Sequence, residues 1–407
     1  MLDRLEKTLR GNLEELRNSG RAKDKELIIE DVIKPEGDRG PRYLVKGHGE
    51  KPFIRMNSNS YLGLTLREDL REAEEEGATR YGVGPGAVRF ISGTFRPHRD
   101  LEKKLAAFHG REEAMAFSSA YMTVNGVLTS LITKETAVIS DELNHNCIIN
   151  AIRLSRPISK SVYGHNDVAE LERRILEAQG ARRLIVVTDG IFSMRGDHAP
   201  LKEIEAVVRK HDHLFPENAI LVVDDSHGVG AFGETGRGTE EYTGGRADVL
   251  VGTLGKAYGV NGGYVVSSEA VVTYLREHAP MYIYSNPISA GEAAATVKAL
   301  EILDGPEGRA ILKHLRDMTG RFEKGLTDLG YEVIPGDHPV VPLMVRDTEE
   351  TSRIVSYLLE KGVLATGLNY PVVPKGDEEI RFQISGDHTA SDIDAVLDIL
   401  REYRDKR

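Results

Sequence analysis

Between about residues 110 and 270, short and nearly continuous apolar runs alternate with amphipathic stretches of helical spacing. Continuous apolar runs are typical of parallel strands that are buried on both faces, whereas strict apolar and polar alternation indicates one solvent-exposed face. We therefore predict an α/β fold with a mostly parallel sheet. Its strands are predicted at 114–117, 137–140, 184–188, 220–223, 249–252 and 263–266.

The two ends of the chain have different patterns. Leu2, Leu5, Leu9 and Leu13 recur at helical spacing and predict an amphipathic helix that docks on another surface. Helical patterns at 291–303, 309–329 and 390–404, separated by shorter strands, predict a small α+β unit. We expect a helical segment over 1–50, a large domain over 51–288 and a small C-terminal domain over 289–407.

Length and composition limit the possible classes of protein. A chain of 407 residues is long enough for two domains. No uninterrupted apolar run approaches the roughly 20 residues of a membrane span, and the charged N-terminus is unlike a signal peptide, so we expect a cytoplasmic protein. The net charge of −11 argues against nucleic acid as a partner. A single cysteine, Cys147, predicted to be a small buried residue, excludes an internal disulfide or a cysteine metal cluster, and we predict no metal site.

Polar residues follow directly after most of the predicted strands. They are Ser118 and Ser119, then Asp141 with Asn144 and His145, Asp189 with Ser193, Asp224 with His227, and Thr253 with Lys256. Open α/β sheets bind ligands at the carboxyl ends of their strands. The sequence therefore predicts that these side chains meet in one crevice.

Lys256 and Asp224 indicate the chemistry of that crevice. Lys256 lies in a glycine-rich loop, where a lysine loses its proton more easily than on a solvated face, as Schiff-base formation requires. Asp224 ends an apolar strand, where a carboxylate needs a cationic partner. The pyridinium nitrogen of pyridoxal 5′-phosphate (PLP) is such a partner. Thr253 either helps to hold a phosphate or caps a turn, and His145 and His227 suggest contacts with the ring.

Two glycine-rich segments resemble nucleotide-binding motifs, but neither matches its motif fully. The segment 228–233, GVGAFG, matches the dinucleotide fingerprint, but a loop follows it instead of the helix that would receive a pyrophosphate. The segment 82–86, GVGPG, lacks the Lys-Ser/Thr ending of a P-loop. An NAD-dependent oxidoreductase therefore remains a minor alternative. Arg381, in a predicted strand, is suited to bind a carboxylate through two parallel hydrogen bonds.

The ordered motifs resemble those of a known family. They are NSYLGL (59–64), VRFISGT (88–94), SDELNH (140–145), DGIFSM (189–194), DDSH (224–227) and GTLGK (252–256). In this order and over nearly the whole chain, they resemble the α-oxoamine synthases, fold-type I PLP enzymes that condense an amino acid with an acyl-CoA thioester. The resemblance implies an aspartate aminotransferase-like fold with a mostly parallel seven-stranded sheet in the large domain.

The resemblance also implies residue roles. Lys256 would form the Schiff base, Asp224 would face the pyridine nitrogen and His145 would stack on the ring. Ser193 and His227 would approach the phenolic oxygen, and Asn59 and Arg381 would bind the substrate, with Arg381 on its carboxylate. The residues implied for the phosphate are Ser119, Ala120, Tyr121 and Thr253, together with Ser285 and Asn286 from a neighbouring subunit. We therefore expect a homodimer with shared active sites.

The resemblance determines the cofactor better than it determines the substrates. The segment TGLNYPVVPKG (366–376) is most similar to the glycine C-acetyltransferases, or 2-amino-3-ketobutyrate CoA ligases, of this family. This similarity implies a reversible reaction of glycine with acetyl-CoA in threonine catabolism. The alternatives are activities like those of 8-amino-7-oxononanoate synthase, 5-aminolevulinate synthase or serine palmitoyltransferase. A catalytically inactive scaffold subunit is an alternative of another class, against which Lys256 argues.

Overall fold

The computed structural model describes residues 2–19, 22, 26–370 and 373–406, so Pro371 and Val372 of the 366–376 segment lie outside the described residues. The strands are β1 (Ile29–Ile33), β2 (Arg42–Val45), β3 (Pro52–Arg55), β4 (Glu113–Phe117), β5 (Thr136–Asp141), β6 (Ser159–Tyr163), β7 (Arg183–Asp189), β8 (Ala219–Asp224), β9 (Val249–Thr253), β10 (Gly263–Ser267), β11 (Glu332–Val333), β12 (Val340–Met344), β13 (Val363–Leu364), β14 (Thr366–Leu368) and β15 (Glu379–Gln383).

The helices alternate with the strands through the middle of the chain and dominate its C-terminal third. They are α1 (Asp3–Asn18), α2 (Glu68–Tyr81), α3 (Arg96–Phe108), α4 (Ala120–Leu131), α5 (Asn146–Leu154), α6 (Val168–Glu177), α7 (Leu201–His211), α8 (Thr239–Thr243), α9 (Glu269–His278), α10 (Pro280–Ile283), α11 (Ala290–Leu303), α12 (Pro306–Asp328), α13 (Thr348–Glu360) and α14 (Ala390–Asp405). Within the described residues, no helix is long and apolar enough to cross a bilayer.

The large sheet has seven strands in the order β4-β10-β9-β8-β7-β5-β6. Only β10 runs antiparallel to its neighbours, and the other pairs are parallel. The prediction of a mostly parallel α/β sheet is therefore confirmed. The sequence pattern missed β6, because this edge strand is polar and mostly exposed.

The central strands explain the continuous apolar pattern. In β7, Leu184 and Val186 pack into the core on one face of the sheet, and Ile185 and Val187 pack into the core on the other. Because alternate side chains of a strand point to opposite faces, a strand that is covered on both faces must be apolar at successive positions.

Two smaller four-stranded sheets complete the fold. One has the order β11-β12-β15-β14 and packs with the C-terminal helices. The other has the order β1-β2-β3-β13, so two strands lie within the first 50 residues and the helical expectation there holds only for α1. No residue of α1 is buried, and Leu5, Leu9 and Leu13 are exposed. The domain boundaries at 50 and 288 stay predictions.

Candidate active site

The carboxyl ends of the central strands open into one cavity. It is lined by Ala120, Tyr121, His145, Cys147, Asp189, Ile191, Ser193, Asp224, Ser226, His227 and Lys256. Side chains from five separate stretches of sequence thus meet at the place where the pattern predicted a crevice.

Asp224 is the last residue of β8, and its side chain is buried. Its Oδ1 accepts hydrogen bonds from the Ser226 backbone N–H at 3.1 Å and the Ser226 hydroxyl at 2.6 Å. Its Oδ2 is contacted by the Cys147 thiol at 3.5 Å, and a thiol is a weak donor. The carboxylate is therefore fixed in position through one oxygen, while the other retains capacity for a cationic partner.

Lys256 lies three residues beyond β9, in a turn closed by a hydrogen bond from the Gly259 N–H to the Lys256 carbonyl. Burial lowers the pKa of the Lys256 amine, and the negative charge of Asp224 is the largest effect that opposes it, which leaves the pKa at about 8. A useful fraction of the amine is therefore uncharged near neutral pH, as a nucleophilic lysine requires.

Two histidines border the cavity in different ways. His145 caps the N-terminus of α5, where its Nδ1 accepts from the Cys147 backbone N–H at 3.3 Å. His145 itself is exposed at the cavity. His227 is buried, with its Nδ1 2.7 Å from the Tyr61 hydroxyl. Burial lowers the pKa of His227 well below its usual range, so this ring is neutral.

The N-terminus of α4 forms another wall of the cavity. Ser119 caps the helix by accepting from the Met122 N–H at 3.2 Å, and Ala120 and Tyr121 are its first residues. The helix can lie this close to β10 only because residue 263 is glycine, since a Cβ there would overlap the Ala120 backbone. Backbone amides at a helix N-terminus are suited to hold a phosphate.

Arg381 lies beside the cavity on β15. Its Nη1 donates to the Ser193 carbonyl at 2.9 Å, and its Nη2 donates to Asn59 Oδ1 at 3.1 Å. The two predicted substrate-binding residues are thus in direct contact, although they come from opposite ends of the sequence.

Other predicted residues lie outside the cavity lining of this chain. The Thr253 hydroxyl donates to the Gly262 carbonyl at 3.2 Å and accepts from the Gly255 N–H at 3.2 Å, as a turn-capping hydroxyl does, and its contact with a phosphate stays a prediction. Ser285 and Asn286 precede α11, and Asn286 is exposed. These two residues do not reach the cavity of their own subunit.

Several lining residues were not predicted. Cys147 is buried as expected, but it also contacts Asp224 across the cavity wall. The contact of Ser226 could have been found from sequence, because an aspartate side chain often bonds to the backbone N–H two residues on. Ile191 gave no signal beyond its apolar character.

The glycine-rich 228–233 segment has a structural role. It lies over Asp225, which is fully buried and accepts from the Thr239 N–H at 2.7 Å and the Thr239 hydroxyl at 2.6 Å. The next helix, α8, begins only at Thr239. The segment is therefore a loop anchored on Asp225 and lacks the helix that a dinucleotide site requires.

The cavity residues fit PLP. Lys256 would be a covalent anchor for PLP, Asp224 a fixed carboxylate for its ring nitrogen and the N-terminus of α4 a site for its phosphate. These three groups border one cavity and are the donor set that a phosphorylated pyridine aldehyde requires.

Comparisons with known proteins agree with this fit. The family described as aminotransferase class I and II matches residues 51–400. The 8-amino-7-oxononanoate synthase of Thermosipho melanesiensis is 36% identical over 388 residues, which cover 95% of this chain and 94% of that protein. Its Bacillus pumilus counterpart is 41% identical over 360 residues, covering 88% and 89%. The mitochondrial 2-amino-3-ketobutyrate coenzyme A ligase of Bos taurus is 37% identical over 404 residues, covering 98% and 92%.

Solved structures are similar over the whole chain. The serine palmitoyltransferase of Sphingomonas wittichii has a TM-score of 0.88 at 26% identity and covers 99% of this chain and 97% of its own. A serine palmitoyltransferase structure with PLP as an internal aldimine also has a TM-score of 0.88, at 27% identity, covering 99% and 98%. Fold and site together define a fold-type I PLP enzyme. The chain belongs to the aminotransferase class I and II family, in which it is a PLP-dependent α-oxoamine synthase.

Proposed function

We propose that this protein is a C-acyltransferase that joins the α-carbon of a small amino acid to the acyl group of a thioester. The observation that carries the proposal is the position of Lys256, with a pKa of about 8, in one cavity with the buried Asp224. This pair provides a proton-accepting amine and a partner for a ring cation within the same enclosed space.

We assign the following residues to PLP. Lys256 would anchor it covalently, Asp224 would bind the ring nitrogen and His145 would stack on the ring. Ser193 and His227 would contact the phenolic oxygen. Ser119, Ala120, Tyr121 and Thr253 would hold the phosphate. When bound, PLP supplies an electron sink that stabilises negative charge on the amino acid α-carbon.

The chain itself would bind, orient and move protons. Arg381 and Asn59 would hold the substrate carboxylate, because a guanidinium fork binds a carboxylate through two parallel hydrogen bonds. The Lys256 amine would remove the α-proton so that the acyl group can take its place on the α-carbon. His145, at the exposed side of the cavity, would donate a hydrogen bond to the oxygen of the acyl group as charge develops on it.

For the substrates, the comparisons favour an activity like that of 8-amino-7-oxononanoate synthase over the reaction of glycine with acetyl-CoA. The relatives named 8-amino-7-oxononanoate synthase are 36% and 41% identical to this chain. The compound in that name carries an amine on the carbon next to a ketone. Breaking the bond between these two carbons leaves a heptanedioyl group and the skeleton of alanine without its carboxylate. We therefore propose alanine and a heptanedioyl thioester as substrates, with the thiol and the alanine carboxylate, as CO2, as the leaving groups and a proton in place of the lost carboxylate.

Glycine and acetyl-CoA are the second candidate pair. The observation that favours them is the 37% identity to the bovine 2-amino-3-ketobutyrate coenzyme A ligase, which extends over 98% of this chain. The similarity of the 366–376 segment to that branch points the same way, and threonine catabolism would follow from this pair.

The test is a substrate matrix. The PLP-loaded protein is supplied with glycine, alanine or serine and with acyl-CoA thioesters of increasing length, including dicarboxylic ones, and both free thiol and condensation product are measured. We expect the highest kcat/KM for alanine with the heptanedioyl thioester, whereas a preference for glycine with acetyl-CoA would support the second pair. The absence of thiol release with every pair would overturn the proposal, and Lys256→Ala is the control for background hydrolysis.

We further propose a homodimer in which each subunit completes the site of the other. Four apolar side chains are largely exposed: Val83 at 87%, Phe90 at 67%, Ile91 at 68% and Tyr284, which directly precedes the segment 285–286, at 82%. Apolar residues exposed to this extent mark interaction surfaces when they are grouped. Burial of this surface by a second copy would carry Ser285 and Asn286 toward the partner's phosphate site.

A complementation experiment tests the shared site. Lys256→Ala subunits are mixed with subunits in which Ser285 and Asn286 are both replaced by alanine. In the mixed dimer, one site combines the intact lysine with the intact pair from the other subunit, so we expect activity to return on mixing. A monomer in sedimentation experiments, or no recovery in a demonstrated mixed dimer, would contradict shared sites.

A further inference from the structure

Asp189 and Asp224 are directly opposite each other at the ends of two neighbouring parallel strands. Asp189 ends β7, Asp224 ends β8, and the two residues are partners in the strand register. Both are buried, with 4% and 7% exposure, and both line the cavity. Side chains opposite each other on adjacent strands lie on the same face of the sheet, so these two carboxyl groups are close neighbours.

Their hydrogen bonds differ. Asp224 receives two donors on Oδ1 and the Cys147 thiol on Oδ2. Asp189 Oδ2 accepts from the His145 N–H at 3.0 Å, but its buried Oδ1 has no hydrogen-bond partner in the described part of the chain. A buried carboxylate with one oxygen that lacks a donor carries the cost of a poorly solvated charge, and protonation removes that charge. Between the two, Asp224 is the better-supported anion.

The surroundings of Asp189 also favour its protonated form. Burial, and after it the charge of Asp224, raise the pKa of the Asp189 carboxyl well above its usual range, while the His145 N–H and the Lys256 charge oppose the rise. The remaining titratable neighbours are Asp141 at the end of β5, Cys147 at the start of α5 and Tyr163 at the end of β6. Lys256 is the cation among these neighbours.

We propose that Asp189 is a neutral carboxylic acid at working pH and a positioning residue for His145, which leaves Asp224 as the carboxylate that faces the ring nitrogen. The proposal rests on the role assigned to Asp224 above. It explains how Lys256 can lose a proton beside two aspartates, since a second ionised carboxylate would stabilise the ammonium form of the lysine. The hydrogen bond from the His145 N–H to Asp189 Oδ2 fixes the backbone that carries this ring at the cavity.

Infrared difference spectroscopy of the full-length, PLP-bearing protein tests the protonation state. Protonated carboxyl groups absorb apart from carboxylates, and ¹³C-labelled aspartate identifies the band. We expect a protonated aspartate band at neutral pH that is lost in Asp189→Asn and retained in the matched surface control Asp317→Asn. In Asp224→Asn the band should titrate at a pH lower by about one unit or more, because the neighbouring charge is gone. A wild-type spectrum that is unchanged by Asp189→Asn would overturn the proposal.

The visible absorption of bound PLP provides a second measurement. If Asp189 is neutral, Asp189→Asn preserves the pH midpoint of the PLP absorption, whereas loss of a real negative charge would lower that midpoint by about one pH unit. Asp189→Ala removes the acceptor for His145 and should weaken PLP binding by roughly 5-fold to 10-fold, and Asp189→Asn should restore it. If Asp224→Asn binds PLP as tightly as the wild type, that result counts against the proposed function. Failure of the proposed function can therefore be told apart from failure of the proposal that Asp189 is neutral.

Discussion

Arg381 donates to the Asn59 side-chain oxygen at 3.1 Å and so joins two residues that are 322 positions apart in the sequence. A second hydrogen bond, from Arg381 Nη1 to the Ser193 carbonyl, fixes the guanidinium from another side. The donor groups of Arg381 are therefore held in one orientation before a substrate arrives. Such preorganisation reduces the entropy that ordering the site would otherwise cost on binding.

Arg381→Lys tests this arrangement. Lysine keeps the positive charge but loses the planar fork, so we expect KM for the amino acid to rise by about 10-fold to 100-fold, a loss of about 1.4–2.8 kcal/mol in binding. The PLP absorption should be unchanged, and steady-state kinetics with varied amino acid concentration provides the measurement. Arg321→Lys, an exposed ion-paired position on α12, is the control. An unaltered KM in Arg381→Lys would rule out a role in carboxylate binding.

Sequence reasoning succeeded where a local pattern determines the structure. The strands β7 and β8 are continuous apolar runs, because both of their faces are covered, and the polar residues at their ends could be placed at the carboxyl edge of the sheet from that pattern alone. The polar edge strand β6 was missed for the same physical reason, since an exposed edge strand needs no apolar run.

What sequence could not provide is the pairing between distant segments. The register that sets Asp189 opposite Asp224 depends on the order of strands in the sheet, which no local pattern specifies. Likewise, β3 pairs with β13 and so joins the sheet of β1, β2 and β3 to residues 363–364. The sequence predicted a helical segment at the N-terminus and gave no sign of this sheet. Such contacts depend on tertiary packing.

His165 gives the fold a stabilising contact that depends on pH. Its ring lies 3.2 Å from Asp141 and 3.0 Å from Asp197, and it packs edge-on against Phe192 in the loop that carries Ser193. Burial lowers the pKa of His165, but the hydrogen bonds to Asp141 and Asp197 outweigh it and raise the pKa to about 9. Because the folded-state value lies above the unfolded value of about 6.5, this stabilisation is complete below pH 6.5 and is lost as the pH rises through about 9.

His165→Gln should therefore lower the free energy of unfolding by about 3 kcal/mol near pH 6, and by much less near pH 10. Urea unfolding at the two pH values measures the difference. His213→Gln, at an exposed position, is the matched control. An equal loss at both pH values would show that the charge of His165 does not contribute.

Gly263→Ala tests the close approach between β10 and α4. A Cβ at residue 263 would overlap the Ala120 backbone, so the helix N-terminus must move. We expect a destabilisation of about 1–3 kcal/mol and weaker PLP binding, because the displacement would move the amides that are proposed to hold the phosphate. Gly320→Ala is the control, since that glycine lies in α12 with open space around it and alanine is the better helix former there. PLP titration and thermal unfolding of both variants provide the comparison, and unchanged PLP binding in Gly263→Ala would argue against phosphate binding at α4.

The lowered pKa of Lys256 predicts how the PLP-free protein takes up its cofactor. Covalent attachment needs an uncharged amine, and the pKa of about 8 means that the uncharged fraction increases as the pH rises through this value. We expect the rate constant for PLP uptake, followed by absorbance in stopped-flow mixing, to rise with a midpoint near pH 8, whereas a solvated lysine would give a midpoint near pH 10. In Asp224→Asn the opposing negative charge is lost, so the midpoint should move to lower pH. A midpoint near pH 10 in the wild-type protein would show that Lys256 is not held in a desolvated cavity.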